Sequence, residues 1–149
     1  MAAIKHFKGA KILIKVEDPD TPGTYNHYCS VNADRGITFT ANGEDSEEID
    51  CDDVELVAWI TREKVSLSVE VEGGGTVNSP DVLFFFNYWK SAASRNCQIV
   101  MDVPAADGGL IFAGKFHLMT FGIQGARTAK SQGTVSWVSD GEVTASPNT

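Results

Sequence analysis

Hydrophobic and polar residues alternate along most of this chain with the two-residue period of a strand that packs on one face. The pattern is clearest over residues 64–72. There Val65, Leu67, Val69 and Val71 interleave with Ser66, Ser68, Glu70 and Glu72, and Gly73-Gly74-Gly75 is expected to end the strand. Over residues 11–17, Ile12, Ile14 and Val16 share one face, with Lys15 and Glu17 on the other. Turn residues at 18–23 and a second strand over 25–31 make residues 11–31 a hairpin. A short β-branched strand is predicted over 36–41, closed by a turn at Asn42-Gly43. Further strands are expected over 97–103, over 110–124 with a bend at Gly114 or Gly122, and over 131–139 with Val135 and Trp137 inward. A turn at Asp140-Gly141 and a polar tail over 145–149 follow.

One segment carries the helical period instead. Ser79-Pro80-Asp81 supplies a capping hydroxyl, a first-turn proline and an acid near the positive end of the helix dipole. The helix is predicted over about 80–94, with Leu83, Phe86 and Trp89 as the stripe that packs on a sheet. Phe84, Phe85 and Tyr88 place further aromatics on its other sides. A lone domain buries one stripe, so the surplus marks a subunit contact. The same cluster is a weaker candidate for stacking nucleic-acid bases, since Lys90 and Arg95 are its only nearby cations.

Roughly seven strands, one helix and no βαβ alternation give a single mainly-β domain over residues 1–149. The expected architecture is an antiparallel β-sandwich or barrel with one flanking helix and a long acidic loop. A chain of 149 residues that is 42% apolar can build a core without covalent staples. No apolar run approaches the ~18 residues of a membrane span. The N-terminal residues lack the apolar core of a secretory signal, and Cys29, Cys51 and Cys97 lack CxxC spacing, which suits a reducing compartment.

The net charge of −8 disfavours tight binding to nucleic acid. Its source is local. Glu44, Asp45, Glu47, Glu48, Asp50, Asp52, Asp53 and Glu55 crowd into twelve positions and must lie on a solvated loop or edge, where they can meet a partner.

Candidate chemistry fails on stated requirements. Cys97 and His117 could form a nucleophile pair, but nothing local supports it, and a buried cysteine is commonly inert. A zinc site from His27, Cys29, Cys51 and His117 lacks closely paired ligands. Residues 109–116 imitate a phosphate loop for seven positions and then place Phe116 where the magnesium-binding hydroxyl belongs. The acidic run lacks the order of an EF-hand. No carboxylate pair is marked by an apolar pocket. No catalytic residue, metal ligand or cofactor is expected.

The order of elements is distinctive. A first hairpin precedes Gly36-Ile37-Thr38-Phe39-Thr40, then Glu47-Glu48-Ile49-Asp50-Cys51-Asp52-Asp53, Trp59, the alternating strand from Val65, a single helix, Phe121-Gly122-Ile123-Gln124-Gly125, Val135-Ser136-Trp137, and Ser139-Asp140-Gly141-Glu142-Val143-Thr144. This order resembles the major tail tube proteins of siphophages, over nearly the whole chain. The threonine frequent after the Ile-Asp-Val motif of that family is Asp52 here.

The resemblance implies a β-sandwich with a flanking helix, six copies per ring, and rings stacked into a hollow tube, a fold shared with contractile-tail tubes and the type VI secretion ring protein. It implies double-stranded DNA and a tape measure protein in the lumen, and tail terminator and baseplate or distal tail proteins at the tube ends. The location would be the virion tail, assembled in the host bacterial cytoplasm. Residues 41–58 match the loop that reaches the neighbouring ring, which makes Glu44, Asp45, Glu47, Glu48, Asp50, Asp52 and Asp53 ring-stacking candidates. Glu70 and Glu72 are candidates for a negative lumen wall that DNA does not stick to. A monomeric β-barrel ligand-binding or adhesin-like module, or a small hydrolase, stands as the alternative.

Overall fold

The computed structural model describes residues 3–28 and 30–148. Its seven strands are β1 (Ile12–Glu17), β2 (Tyr25–His27), β3 (Asp34–Glu48), β4 (Trp59–Thr76), β5 (Arg95–Met101), β6 (Leu110–Gln124) and β7 (Gln132–Pro147), with one helix, α1 (Val82–Lys90), between β4 and β5. They form one antiparallel sheet in the order β2-β1-β5-β6-β7-β4-β3. The sheet is sandwich- or barrel-like without closing, as the alternation predicts. Its open margin is bridged by Arg35 of β3, whose Nη1 donates to the carbonyl oxygens of Ala10 and Ile12, both at 3.0 Å, while Nε donates to Val31 O.

The core follows from the register. Val71, Trp137 and Leu118 stand opposite one another on three adjacent strands, and Ile14 faces Ile99 as Val16 faces Cys97. All are buried. Each full burial of such a side chain stabilises the fold by about 1.5–3 kcal/mol.

Several boundaries differ from the sequence pattern for local reasons. The triple glycine does not end β4, which runs through it to Thr76. These glycines let other backbone approach: a Cβ on Gly73 would sit 2.6 Å from Val31 Cγ1, and one on Gly75 would sit 2.1 Å from Asn32 Oδ1. Asn42-Gly43 is an irregularity in the β3–β4 ladder and not a turn. Asp140-Gly141 likewise lies inside β7, which continues to Pro147 along Leu110 of β6. Of the expected polar tail, residues 145–147 are paired chain, Asn148 is pinned by its Nδ2 donating to Val103 O at 2.8 Å, and Thr149 lies outside the described residues. β6 spans the predicted residues, with one irregularity at Gly114 and another at Leu118–Thr120 in place of Gly122.

The helix is shorter than the pattern predicts, because Ser79–Asp81 forms a separate 3-10 turn and Ser91 is extended. Ser79 lies inside that turn, and the residue before it, Asn78, makes no side-chain capping bond. Asp81 instead accepts from both the backbone N–H and the hydroxyl of Ser30, each at 3.2 Å, and ties the start of α1 to the segment after β2.

Candidate functional site

The feature that most exceeds the needs of a lone domain is the β3–β4 hairpin. Its ladder runs from Asp34↔Gly74 to Glu48↔Trp59. β4 is also bonded to β7, but only over Glu70–Thr76. Val69 N–H still donates to Ser139 Oγ of β7 at 2.9 Å, but from Ser68 to Trp59 β4 has β3 alone, and the two strands leave the sheet as a two-stranded ribbon. The ladder irregularity sits within this ribbon. Residues 49–58 form its tip, folded by their own acids. Asp50 accepts from Asp52 N–H at 2.9 Å and Asp53 from Glu55 N–H at 3.2 Å, which are side-chain turns that short acids favour.

The acidic loop predicted over 41–58 is thus strand over 41–48 and tip over 49–58. Glu44, Asp45, Glu47 and Glu48 belong to β3, the exposed outer strand of the sheet, and Asp50, Asp52 and Asp53 belong to the tip. Asp45 pairs with Arg62 across the ribbon at 3.3 Å, while Glu44 stands directly opposite Glu63, a like-charge pair. Residues 44–63 hold nine acids and the single base Arg62, a net charge of −8 that equals the charge of the whole chain. Everything outside the ribbon sums to zero. The tip is also apolar: Ile49, Val54, Leu56, Val57, Trp59 and Ile60 are all exposed, Val57 by 91%.

The alternating strand behaves in two ways. Val69 and Val71 are buried, whereas Val65 and Leu67, farther along the ribbon, are exposed. There Phe39 meets Phe112 edge-on at 5.2 Å above an open cleft of about 920 Å³, where β4 and β7 diverge. Glu70 and Glu72 lie on the opposite, exposed face. Their cross-strand neighbours are Thr38 and Val138 beside Glu70, and Gly36 and Ser136 beside Glu72.

On α1 the structure reverses the expected packing face. Leu83, Phe86 and Trp89 point away from the sheet and are 67%, 48% and 51% exposed, while Phe85 and Tyr88 are buried. Phe85 stacks on Phe121 with ring centroids 5.2 Å apart. Phe84 stacks on Tyr28 at 4.1 Å, and the Arg95 guanidinium lies over the rings of Phe84 and Tyr88. The Tyr88 hydroxyl donates to the carbonyl of Phe116 and also contacts Cys97 Sγ. Both stripes have helical spacing. The inward stripe has three aromatic rings and a cation to stack on them, and that composition is the signal that distinguishes it.

The residues weighed for chemistry are apart. His27 lies in β2, where Nδ1 is 3.1 Å from Ile14 O, and His117 lies in β6, 3.2 Å from Asp140. Cys51 is exposed at the ribbon tip and Cys97 is buried in the core, its thiol pushed up to about 12, chiefly by burial. Cys29 lies outside the described residues. Among the described residues no group of three potential ligands is close enough to hold a metal, and no helix is long and apolar enough to cross a membrane. Residues 109–116 are backbone of β6 and its approach, not a phosphate loop.

The family described as phage tail tube protein matches residues 6–145. The chain belongs to the phage tail tube protein family. Solved tail structures share its fold. The tail of an empty gene transfer agent (GTA) particle, refined helically with C6 symmetry, aligns with a TM-score of 0.70 at 18% identity, over 93% of this chain and 98% of that one. The SPP1 tail tube aligns with a TM-score of 0.65 at 11% identity, over 96% of this chain and 80% of that one. A chain of the sheath-tube complex of an extracellular contractile injection system aligns with a TM-score of 0.56 at 8% identity, over 96% of this chain and 93% of that one. No curated protein matches the sequence. As a phage tail tube protein the chain is a structural virion component of the tail, the class its element order suggested.

Proposed function

We propose that this protein is a non-catalytic subunit that forms six-membered rings, and that the rings stack into the hollow tail tube through which phage DNA reaches the host cell. The family match over residues 6–145 carries the reading. The ribbon supports it, because a two-stranded projection with unpaired backbone edges and exposed apolar residues has no role in an isolated domain. A neighbouring copy can extend the sheet where β4 and β7 part. The C6 symmetry of the related gene transfer agent tail supports six copies per ring.

The polar face around Glu70 and Glu72 then lines the lumen, where carboxylates repel DNA phosphates and keep nonspecific affinity low. The acids of the ribbon reach the next ring. A tape measure protein occupies the lumen before DNA does, terminator and distal tail proteins close the ends, and assembly takes place in the bacterial cytoplasm before the tail joins the virion.

Negative-stain microscopy and size-exclusion chromatography of the purified protein test the reading. Rings or tubes are expected. A clean monomer at every concentration that supports tube growth in such systems would reject it in favour of a monomeric binding module. Glu47→Lys with Glu48→Lys should leave rings but stop stacking, and normal tubes from that variant would remove the ribbon acids from the ring-to-ring contact.

A further inference from the structure

We infer that the ribbon tip of one copy docks on the outward face of α1 and the β6–β7 turn of a copy in the next ring. This rests on the tube reading above and names the surface that reading leaves blank.

The two surfaces lie at opposite ends of the molecule. β4 begins beside the tip at Trp59 and ends at Thr76, whose cross-strand partner is Gln132, the first residue after the β6–β7 turn. Its eighteen residues span roughly 55 Å at the rise of an extended strand. Val77 N–H donates to Ser131 O at 2.9 Å, so the segment leading into α1 is fastened to that same turn. Phe85, one turn into the helix, stacks on Phe121 near the end of β6. The start of α1 and the β6–β7 turn therefore share the end of the sheet remote from the tip, and the outward stripe runs from there along β6 to the level of Phe116, which Tyr88 reaches.

The two ends are complementary in charge and in polarity. Residues 44–63 carry −8. Residues 125–131 contain Arg127 and Lys130, both exposed, and no acid. α1 adds the exposed Lys90 and likewise has no acid. At the tip, Val57 and Trp59 are 91% and 84% exposed; at the other end, Leu83, Phe86 and Trp89 are exposed on one helix face. Phe86 and Trp89 lie with ring centroids 6.1 Å apart, an aromatic pair on the exposed side of the helix. An exposed aromatic pair followed by Lys90, with Arg127 and Lys130 on the turn at the start of the same helix, suits an apolar knob flanked by acids.

A contact between two different surfaces of the same chain is heterologous. It does not close on itself as a two-fold dimer does, and it propagates along an axis when its rotation does not close into a ring. That property is what a stacked assembly needs, and an isologous pairing of either patch with its own copy would bring like charges together.

Two experiments decide. A photo-cross-linking amino acid at Val57, in protein first shown by microscopy to form tubes, should couple to peptides containing residues 83–89 or 127–130. Cross-links that fall elsewhere, or none, overturn the contact while the tube reading stands; protein that forms neither rings nor tubes overturns both. In parallel, Arg127→Glu with Lys130→Glu should retain rings and lose tubes, and adding Glu47→Lys and Glu48→Lys to that variant should restore tubes. Both pairs are exposed, and an unchanged unfolding midpoint checks that the variants fold. Tubes from the Arg127/Lys130 variant as abundant as wild type, or no rescue by the ribbon lysines, would count against the docking.

Discussion

The guanidinium of Arg35 reaches from β3 to the carbonyl oxygen of Ile12 on β1, 3.0 Å away, and so joins two strands that the sheet order separates by four others. The same side chain holds Ala10 O and Val31 O. A fork of donors can serve three carbonyls where a lysine ammonium cannot hold the same geometry. Arg35→Ala should lower stability by about 2 kcal/mol, and Arg35→Lys should recover only part of it. Urea unfolding checks this. A midpoint within error of wild type would mean the open margin holds itself together by packing alone.

The orientation of α1 gives a contrast between neighbours. Phe85→Ala removes a fully buried ring stacked on Phe121 and should cost about 3–5 kcal/mol. Phe86→Ala removes a ring that is half exposed and should cost under about 1 kcal/mol in the free subunit. Thermal unfolding of both variants as free subunits reads the difference, and equal losses would contradict the face assigned here.

Gly75 has φ +145°, and an added Cβ would strike Asn32 Oδ1 at 2.1 Å and Ala33 N at 2.9 Å. Gly36, on the neighbouring strand, has open space around it. Gly75→Ala should therefore destabilise by about 2 kcal/mol or more through strain and displacement of the crossing segment, while Gly36→Ala should be close to neutral. Denaturation curves of the pair provide the measurement.

The Cys97 thiol is raised from 9.0 to about 12, chiefly by burial, and Tyr88 beside it is also raised by burial. The sign follows from proton counting. Below about pH 9 the thiol is protonated in both states and contributes no pH dependence. Between about 9 and 12 the unfolded chain releases a proton that the folded chain keeps, so stability falls as pH rises, by up to about a factor of ten in the unfolding constant per pH unit. Cys97→Ala should remove the fall that begins near pH 9 in a pH series of unfolding midpoints, leaving the fall that buried Tyr88 adds above about pH 10. At neutral pH the folded protein should react with a maleimide at exposed Cys51 while Cys97 stays intact until unfolding.

Strand identity is legible from alternation, which matches burial at Val69 and Val71 but continues over the exposed Val65 and Leu67 of the ribbon. Residues 110–124 were readable to the residue, and Trp137 and Val135 were placed inward correctly. The boundary expected at the triple glycine differs for one reason. Gly73, Gly74 and Gly75 serve close approach of Val31, Asn32 and Gly133, an interaction distant in sequence that leaves no local trace. The acidic run was placed on a solvated edge or loop; the edge is where half of it lies, since an exposed outer strand tolerates any charge that does not have to enter the core. The helix face was misassigned because two stripes share one period, and only the sheet decides between them. The bases of the β6–β7 turn were passed over: two residues in a short loop have no pattern, and they gain meaning only when the fold sets them opposite the ribbon.

Long strand edges are normally a hazard, because any other edge can add to them. The ribbon combines such edges with exposed Val65 and Leu67, the ingredients of a sticky segment. Its acids act as gatekeepers, since two free ribbons that approach side by side bring −8 against −8. The solubility of the unassembled chain is thereby concentrated in one hairpin. Acid or high salt, which silences that hairpin, is the condition under which a pool of free subunits turns into disordered aggregate.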